Sequence, residues 1–229
     1  MAKKGLDGKL TPRGEEQGKE FGEKLEPTDA VKAYGGFVER AARTAENAVE
    51  ASRHGKKMKQ RLRAELSIPP MSEEAMRKFR ELTKERAGAG AEWFLSFDDE
   101  RPDPETASPR EVAGGVAHLV KTYIDMADRL FSGSEIDLVN GTHEVMAESL
   151  LRYALIREEN DEKKIGFESV KEIGGSLGFV EEIEFRIVTN ETGEKTVKVY
   201  LRGNEYDIDM GILEGLAKEY RNKKQGAPR

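Results

Sequence analysis

The sequence predicts an α/β fold in which helices alternate with short strands along one domain. Three observations favour this class. Near the amino terminus, a helix pattern, a short apolar run and a second helix pattern follow one another. Residues 135–155 begin with a short apolar run and continue as an amphipathic helix. Two alternating segments near the carboxyl terminus predict a β-hairpin.

In the amino-terminal part, two helices enclose one strand. Thr11 can cap a helix over residues 12–25, with Pro12 at its first position, where proline is tolerated. A strand is expected at residues 30–34 and a second helix at residues 37–52. The basic segment 53–63 is expected to be solvated helix or loop.

The middle of the chain is predicted to be helical. A helix is expected at residues 72–86, followed by an irregular segment at residues 88–104. The strongest helix signal covers residues 109–131. Ser108 is its cap, and Glu111 completes a capping box.

The last third is predicted to be mixed. Residues 136–139 form a strand and residues 145–154 a helix, and a charged break follows at residues 160–164. The hairpin strands are expected at residues 179–188 and 196–202, and a final helix at residues 211–220. Domain organisation is therefore expected to be a single domain over residues 1–220, with a disordered tail at 221–229.

Composition excludes several functions. The 229-residue chain has 38 basic and 44 acidic residues, a net charge of −6 and a pI of about 5.4, which disfavours general nucleic-acid binding. It has no cysteine, so disulfides and thiolate sites are excluded. No apolar run approaches the roughly 20 residues of a membrane span. We expect a cytoplasmic protein that binds neither nucleic acid nor membrane.

The candidate functional residues from this pattern are His143 and Glu144. They lie where the strand at residues 136–139 ends and the next helix begins. In open α/β folds such junctions hold anions, because free N–H groups and the positive end of the helix point at them. A histidine beside a carboxyl group could serve phosphoryl chemistry there. Alternatively, His143 is a polar residue that fills a loop, and Glu144 is a helix-start carboxylate favoured by the dipole.

Three segments, in this order, resemble the histidine phosphatase superfamily, which includes phosphoglycerate mutase-like and histidine acid phosphatase-like enzymes. Residues 10–17 (LTPRGEEQ) are similar to a family helix start, "LTxxGxxQA", with Gly18 in place of its alanine. Residues 40–46 (RAARTAE) are similar to a second helix start, "RAxxTAE". Residues 138–151 are similar to the late strand–histidine–helix motif. The resemblance covers roughly residues 10–160.

The resemblance implies a three-layer sandwich with a mostly parallel sheet flanked by helices, a helical cap at about residues 64–131, and hydrolysis of a phosphate monoester. Arg40 would clamp the phosphate, since a guanidinium offers paired donors to a dianion. His143 would bind the phosphoryl group and stabilise the transition state, and Glu144 would be the general acid. The resemblance implies no cofactor and no metal. The expected partner is a phosphorylated small molecule or a phosphoprotein, and the oligomeric state is left open.

One part of the family pattern is missing. The family carries its nucleophilic histidine in an Arg-His-Gly motif on a first strand upstream of the LTxxG helix. Here Arg-His-Gly occurs only at residues 53–55, after a polar helix end, so we expect this match to be a coincidence, and His118 to be structural. Two explanations remain. Either the sequence is a truncated form of an enzyme, or it is a non-catalytic relative that binds a phosphorylated ligand or serves as a scaffold.

Overall fold

The computed structural model describes residues 9–130, 134–159, 162–178, 181–189 and 192–226. The chain forms two compact units. The first comprises Met1–Ile68 and Met126–His143, and the second comprises Pro69–Asp125 and Glu144–Arg229.

The first unit is built on a three-stranded parallel sheet. Its strands are β1 (Ala30–Gly35), β2 (Lys56–Leu62) and β3 (Ile136–Gly141), in the order β2-β1-β3. The strands predicted at residues 30–34 and 136–139 are therefore confirmed. So is the α/β class, with a parallel sheet flanked by helices.

Two helices pack beside this sheet. They are α1 (Pro12–Glu23) and α2 (Glu39–Ala51), as predicted. The Thr11 hydroxyl caps α1 by accepting a hydrogen bond from the Gly14 N–H at 3.1 Å. The small core between helices and sheet consists of aliphatic side chains, which are Val31, Ala33, Ala45 and Val49, with Leu25 and Val139 at its border.

Strand β2 corrects one expectation. Residues 53–63 were expected to be helix or loop because they are strongly basic, but Lys56–Leu62 pair in parallel with β1. This strand lies at the edge of the sheet, and most of its side chains are exposed. Lysine and arginine are tolerated on such an edge, where they discourage pairing with other chains. The pairing therefore overrides the weak strand propensity of the residues.

The ends of the strands approach α2 closely. A Cβ atom added to Gly141 would lie 1.9 Å from the carbonyl oxygen of Ala41, and one added to Gly35 would lie 2.4 Å from the Cα of Ala42. Only glycine permits this approach of helix backbone to strand backbone. The first turns of α2 are thereby held against the carboxyl ends of β1 and β3.

We expect Gly141→Ala to destabilise the protein by about 3 kcal/mol, because helix and strand backbones must move apart to admit the methyl group. This corresponds to a melting temperature lower by several degrees, about 2–4 °C per kcal/mol for a chain of this size. Gly215→Ala is the control, since nothing lies within 4 Å of its Cβ position. Calorimetry would contradict the packing argument if both variants melted alike.

The second unit contains the helices of the middle segment. They are α3 (Glu73–Glu85), α4 (Ala89–Leu95) and α5 (Pro109–Leu130), although α5 enters the first unit at Met126. The capping box of α5 is formed as predicted: the Ser108 N–H donates to Glu111 Oε2 at 2.9 Å, and the Glu111 N–H donates to Ser108 Oγ at 3.2 Å. The interpretation of residues 88–104 as irregular is wrong for Ala89–Leu95, whose apolar side chains Phe94 and Leu95 are buried in the core.

The second unit also contains a five-stranded antiparallel sheet in the order β5-β4-β8-β7-β6. The predicted hairpin corresponds to β6 and β7, whereas β4, β5 and β8 are additional. Glu162–Ile165 form a strand where a break was expected, and Asn160 and Asp161 lie outside the described residues. The strands are β4 (Leu155–Glu159), β5 (Glu162–Ile165), β6 (Glu184–Thr189), β7 (Lys195–Leu201) and β8 (Asn204–Ile208).

Two further helices complete this unit, α6 (Met146–Ala154) and α7 (Met210–Gly226). Helix α7 continues through Gly226, into the segment that was expected to be a disordered tail. Short 3₁₀ helices occur at Ala64–Leu66 and Val170–Ile173. Among the described helices, none has the length and apolar character needed to cross a lipid bilayer.

Candidate phosphate-binding site

The segments that follow the three parallel strands meet at one edge of the first unit. The Gly36 N–H donates to the Gly141 carbonyl at 3.3 Å, and the Arg63 N–H donates to the Gly35 carbonyl at 2.8 Å. The Thr142 hydroxyl donates to the Leu66 carbonyl at 3.2 Å. These bonds join the carboxyl ends of β1, β2 and β3, which is where open α/β sheets hold ligands.

Arg40 lies in the first turn of α2, directly after β1. Its guanidinium forms no ion pair or hydrogen bond within the described part of the chain. Arg43, one turn further on, instead donates to Glu46 at 2.6 Å. The helix cap residue Val38 offers no side-chain acceptor, so the first N–H groups of α2 add donors at the same edge. Arg40 is therefore free to bind an anion there.

His143 follows β3 by two residues, and the structure brings it near Arg40. Its Nε2 atom is buried and makes no hydrogen bond to any residue that the structure describes. Burial and, to a smaller extent, the positive charge of Arg40 lower the pKa of His143 from 6.5 to about 4. The imidazole is thus neutral near pH 7, and a bound anion would favour its protonated form.

Glu144 begins the second unit and is half-buried. Its charge contributes to a raised pKa of the fully buried Glu148, for which burial is the main cause. Glu148 accepts hydrogen bonds from the N–H groups of Val145, at 2.7 Å, and Leu177, at 2.8 Å. Val145 has φ of 72°, an unusual conformation for a β-branched residue. The chain directly after His143 and Glu144 is therefore held in a strained turn, and such turns occur preferentially at functional sites.

The structure also places a group of residues that the sequence did not single out. Arg63 follows β2 at the same edge, and its Nε atom is buried without a hydrogen-bond partner among the residues described. Lys32 lies on the central strand and is only 9% exposed. Arg63 was missed because the basic segment 53–63 was interpreted as helix or loop. Lys32 was missed although its strand was predicted, because the sequence does not show what covers the side chain. The alternation of Met58, Gln60 and Leu62 was the available signal for a strand.

The other two histidines lie elsewhere. His54 precedes β2 and is exposed at the amino end of the sheet, opposite Arg40 and His143. His118 lies in α5, where its ring packs 5.4 Å from the ring of Tyr220. Within the described ranges, His143 is therefore the one histidine at the carboxyl edge. These residues also contain no group of three or more histidine, aspartate and glutamate side chains placed to hold a metal ion.

Comparison with known families gives a match over most of the chain. The sequence profile of the histidine phosphatase superfamily (branch 1) matches residues 2–170. The chain belongs to this superfamily. Arg40 and His143 both lie within the matched range. A search of curated proteins finds no match.

The solved structures that match include a phosphatase, a putative phosphatase and a hydrolase. The α-ribazole phosphatase of Shigella flexneri is 17% identical, with a TM-score of 0.41. The alignment covers 68% of this chain and 81% of the phosphatase chain. A putative α-ribazole-5′-P phosphatase from Escherichia coli is 18% identical, with a TM-score of 0.41. The alignment covers 70% of this chain and 85% of the other. Mycobacterial hydrolase 1 is 12% identical, with a TM-score of 0.49. The alignment covers 90% of this chain and 87% of the hydrolase chain.

Proposed function

We propose that this protein binds phosphate monoesters at the carboxyl edge of its parallel sheet and hydrolyses them. The supporting observation is that the charge of Arg40 acts on His143, whose buried Nε2 has no hydrogen-bond partner among the described residues, and that no described residue pairs with the Arg40 guanidinium. Arg40 offers a planar pair of N–H donors to the phosphate oxygens. Membership of the superfamily supports phosphoryl chemistry at this edge.

In this proposal each residue has a distinct role. Arg40 binds and neutralises the phosphate dianion. His143 hydrogen-bonds the phosphoryl group and stabilises the charge that develops in the transition state. Glu144, next in the chain, is the candidate general acid that protonates the leaving alcohol, since a neighbouring dianion favours a protonated carboxyl group. The substrate is a phosphorylated small molecule or a phosphoprotein in the cytoplasm.

A second candidate function is non-catalytic binding of a phosphorylated ligand. It is favoured by a specific observation: among the described residues, His143 is the single histidine at this edge, whereas the superfamily resemblance implies a separate nucleophilic histidine. Covalent catalysis through phosphohistidine needs that second group. A binding protein would keep the pocket of Arg40 and His143 but turn over no ester.

Hydrolysis of p-nitrophenyl phosphate separates the two functions. For an enzyme, we expect His143→Gln to lower turnover by at least about 100-fold, because a donor that stabilises the transition state is lost. His54→Gln is the matched control and should leave turnover unchanged. If the wild-type protein releases no nitrophenol from any ester tested but still binds phosphate, the hydrolase proposal fails and the binding function replaces it.

A further inference from the structure

Lys32 is buried on the central strand without a counter-charge. It is 9% exposed, and within the described part of the chain it forms neither an ion pair nor a hydrogen bond. Lysine side chains are rarely covered to this extent unless they are paired. The Lys32 Nζ itself is not among the buried polar atoms that lack a partner, whereas the Nε of the neighbouring Arg63 is. Its position therefore requires an explanation.

Two further cations from β2 and its carboxyl end surround the same place. Arg61 pairs with Tyr34 in the strand register, and Arg63 reaches back over the Tyr34 ring, with its Cζ 5.4 Å from the ring centroid. The Nζ of Lys32 lies 5.5 Å from the same centroid. Burial, followed by the charges of Arg61 and Arg63, lowers the pKa of Lys32.

The Tyr34 ring compensates these charges only in part. Cation–π contacts attract Lys32 and Arg63 to its faces, but they do not remove the repulsion among three cations. No carboxylate within the described ranges forms a salt bridge with any of them, and the buried Nε of Arg63 has no acceptor there. A bound anion would supply the missing acceptor and the missing negative charge.

Protection of a sheet edge does not account for this cluster. Lysines on an edge strand discourage unwanted pairing, and this explains exposed residues of β2 such as Lys57 and Lys59. Lys32 instead lies on the central strand, between β2 and β3, where no edge needs protection. The covered side chain of Lys32, together with the buried Arg63 Nε that has no acceptor among the described residues, points to a ligand instead.

The cluster lies beside the proposed phosphate site. Arg63 joins the two, since its N–H bonds to Gly35 at the carboxyl edge while its guanidinium covers Tyr34. Tyr34 pairs with Asn140, three residues before His143, so the two places are separated by about 10 Å or less at the strand rise of about 3.3 Å per residue. We infer that Lys32, Arg61 and Arg63 form a second anion subsite, which binds a further phosphate or carboxylate group of the same ligand. This inference rests on the proposed function.

Three non-hydrolysable probes test it by titration calorimetry. Methylphosphonate carries one anionic group, whereas hexane-1,6-diphosphonate and 7-phosphonoheptanoate add a phosphonate or a carboxylate on a flexible chain long enough to span the two places. We expect one or both of the larger probes to bind at least about tenfold more tightly than methylphosphonate, and the better one identifies the second group. Lys32→Met and Arg63→Met should remove most of this preference. Arg63→Lys should keep part of it.

Lys59→Met is the matched control, because it removes a charge from the exposed part of the same strand and should retain the preference. If methylphosphonate binds and Arg40→Gln abolishes that binding, but the preference is absent or survives in Lys32→Met and Arg63→Met, the second subsite is wrong and the phosphate site stands. If no probe binds the wild-type protein, the proposed phosphate site itself is wrong, and this inference falls with it.

Discussion

Arg40→Gln is expected to weaken the binding of inorganic phosphate by about 100-fold or more. The guanidinium can donate two charge-assisted hydrogen bonds to phosphate, each worth about 1.5–3 kcal/mol, and every 1.4 kcal/mol or so corresponds to a factor of ten in affinity. Glutamine removes the charge but keeps the polarity and much of the length of the side chain. Titration calorimetry at fixed ionic strength measures the change directly.

Arg43→Gln is the matched control for this experiment. Arg43 lies on the same helix, three residues from Arg40, but its guanidinium is already paired with Glu46 at 2.6 Å and is largely exposed. A surface ion pair of this kind contributes little, about 0–1 kcal/mol. We therefore expect the phosphate affinity of Arg43→Gln to stay within about twofold of that of the wild-type protein. Equal losses in the two variants would indicate a general electrostatic effect of the helix and would contradict a specific site at Arg40.

The second large effect concerns pH and His143. Its pKa is lowered to about 4 in the folded protein, while the unfolded chain has the ordinary value of 6.5. Between these values the unfolded chain binds more protons than the folded one, so the free energy of unfolding falls as the pH decreases from about 6.5 to about 4. At the lower limit the loss reaches up to about 3 kcal/mol, at about 1.4 kcal/mol per pKa unit.

Urea unfolding at about pH 7 and about pH 4.5 measures this loss. The same two measurements are made on His143→Gln, which lacks the histidine but keeps every carboxyl group. The difference between the two proteins in their loss of unfolding free energy is then the contribution of His143. We expect the variant to lose less stability on acidification than the wild-type protein. Identical losses would show that the imidazole is not held in its neutral form.

The binding of phosphate should raise the pKa of His143 again. A bound dianion beside His143 favours the imidazolium, so the pKa of His143 rises in the complex and the protein takes up protons when phosphate binds. Calorimetry in buffers of different ionisation enthalpy detects that uptake between about pH 5 and about pH 7. Replacing Arg40 should also raise the pKa of His143 in the free protein, because the charge of Arg40 is one of the two causes that lower it.

Several features of the fold were predictable because they depend on neighbouring residues. The caps of α1 at Thr11 and of α5 at Ser108 and Glu111 are local hydrogen bonds between residues three apart, so their spacing in the sequence was sufficient. The buried strands at residues 30–34 and 136–139 were visible as apolar runs. The motifs at Arg40 and His143 were recognisable for the same reason, and they indicated the superfamily that the profile match confirms.

The other strands lacked a local signal of this kind. Strands β4, β5 and β8 are short and rich in charged residues, so they do not show the apolar alternation that predicts a strand. Strand β4 also depends on a distant partner, because it pairs with β8, whereas β4–β5 and β7–β8 are hairpins between neighbouring segments. Strand β2 is the most consequential example. Its basic sequence indicated a solvent-exposed helix or loop. Pairing with β1 instead brings Arg61 and Arg63 next to a buried Lys32.

The sequence by itself therefore determined the class of the fold, the superfamily, and Arg40, His143 and Glu144 as the residues to test. Only the tertiary structure decided that Arg40 and His143 lie together, because their proximity depends on the glycine contact between α2 and the end of β3. It also decided that Lys32 is buried among cations, because burial depends on how strands pair and pack. The environment of a charged side chain is set by residues that are distant in the sequence, so only the folded chain shows it.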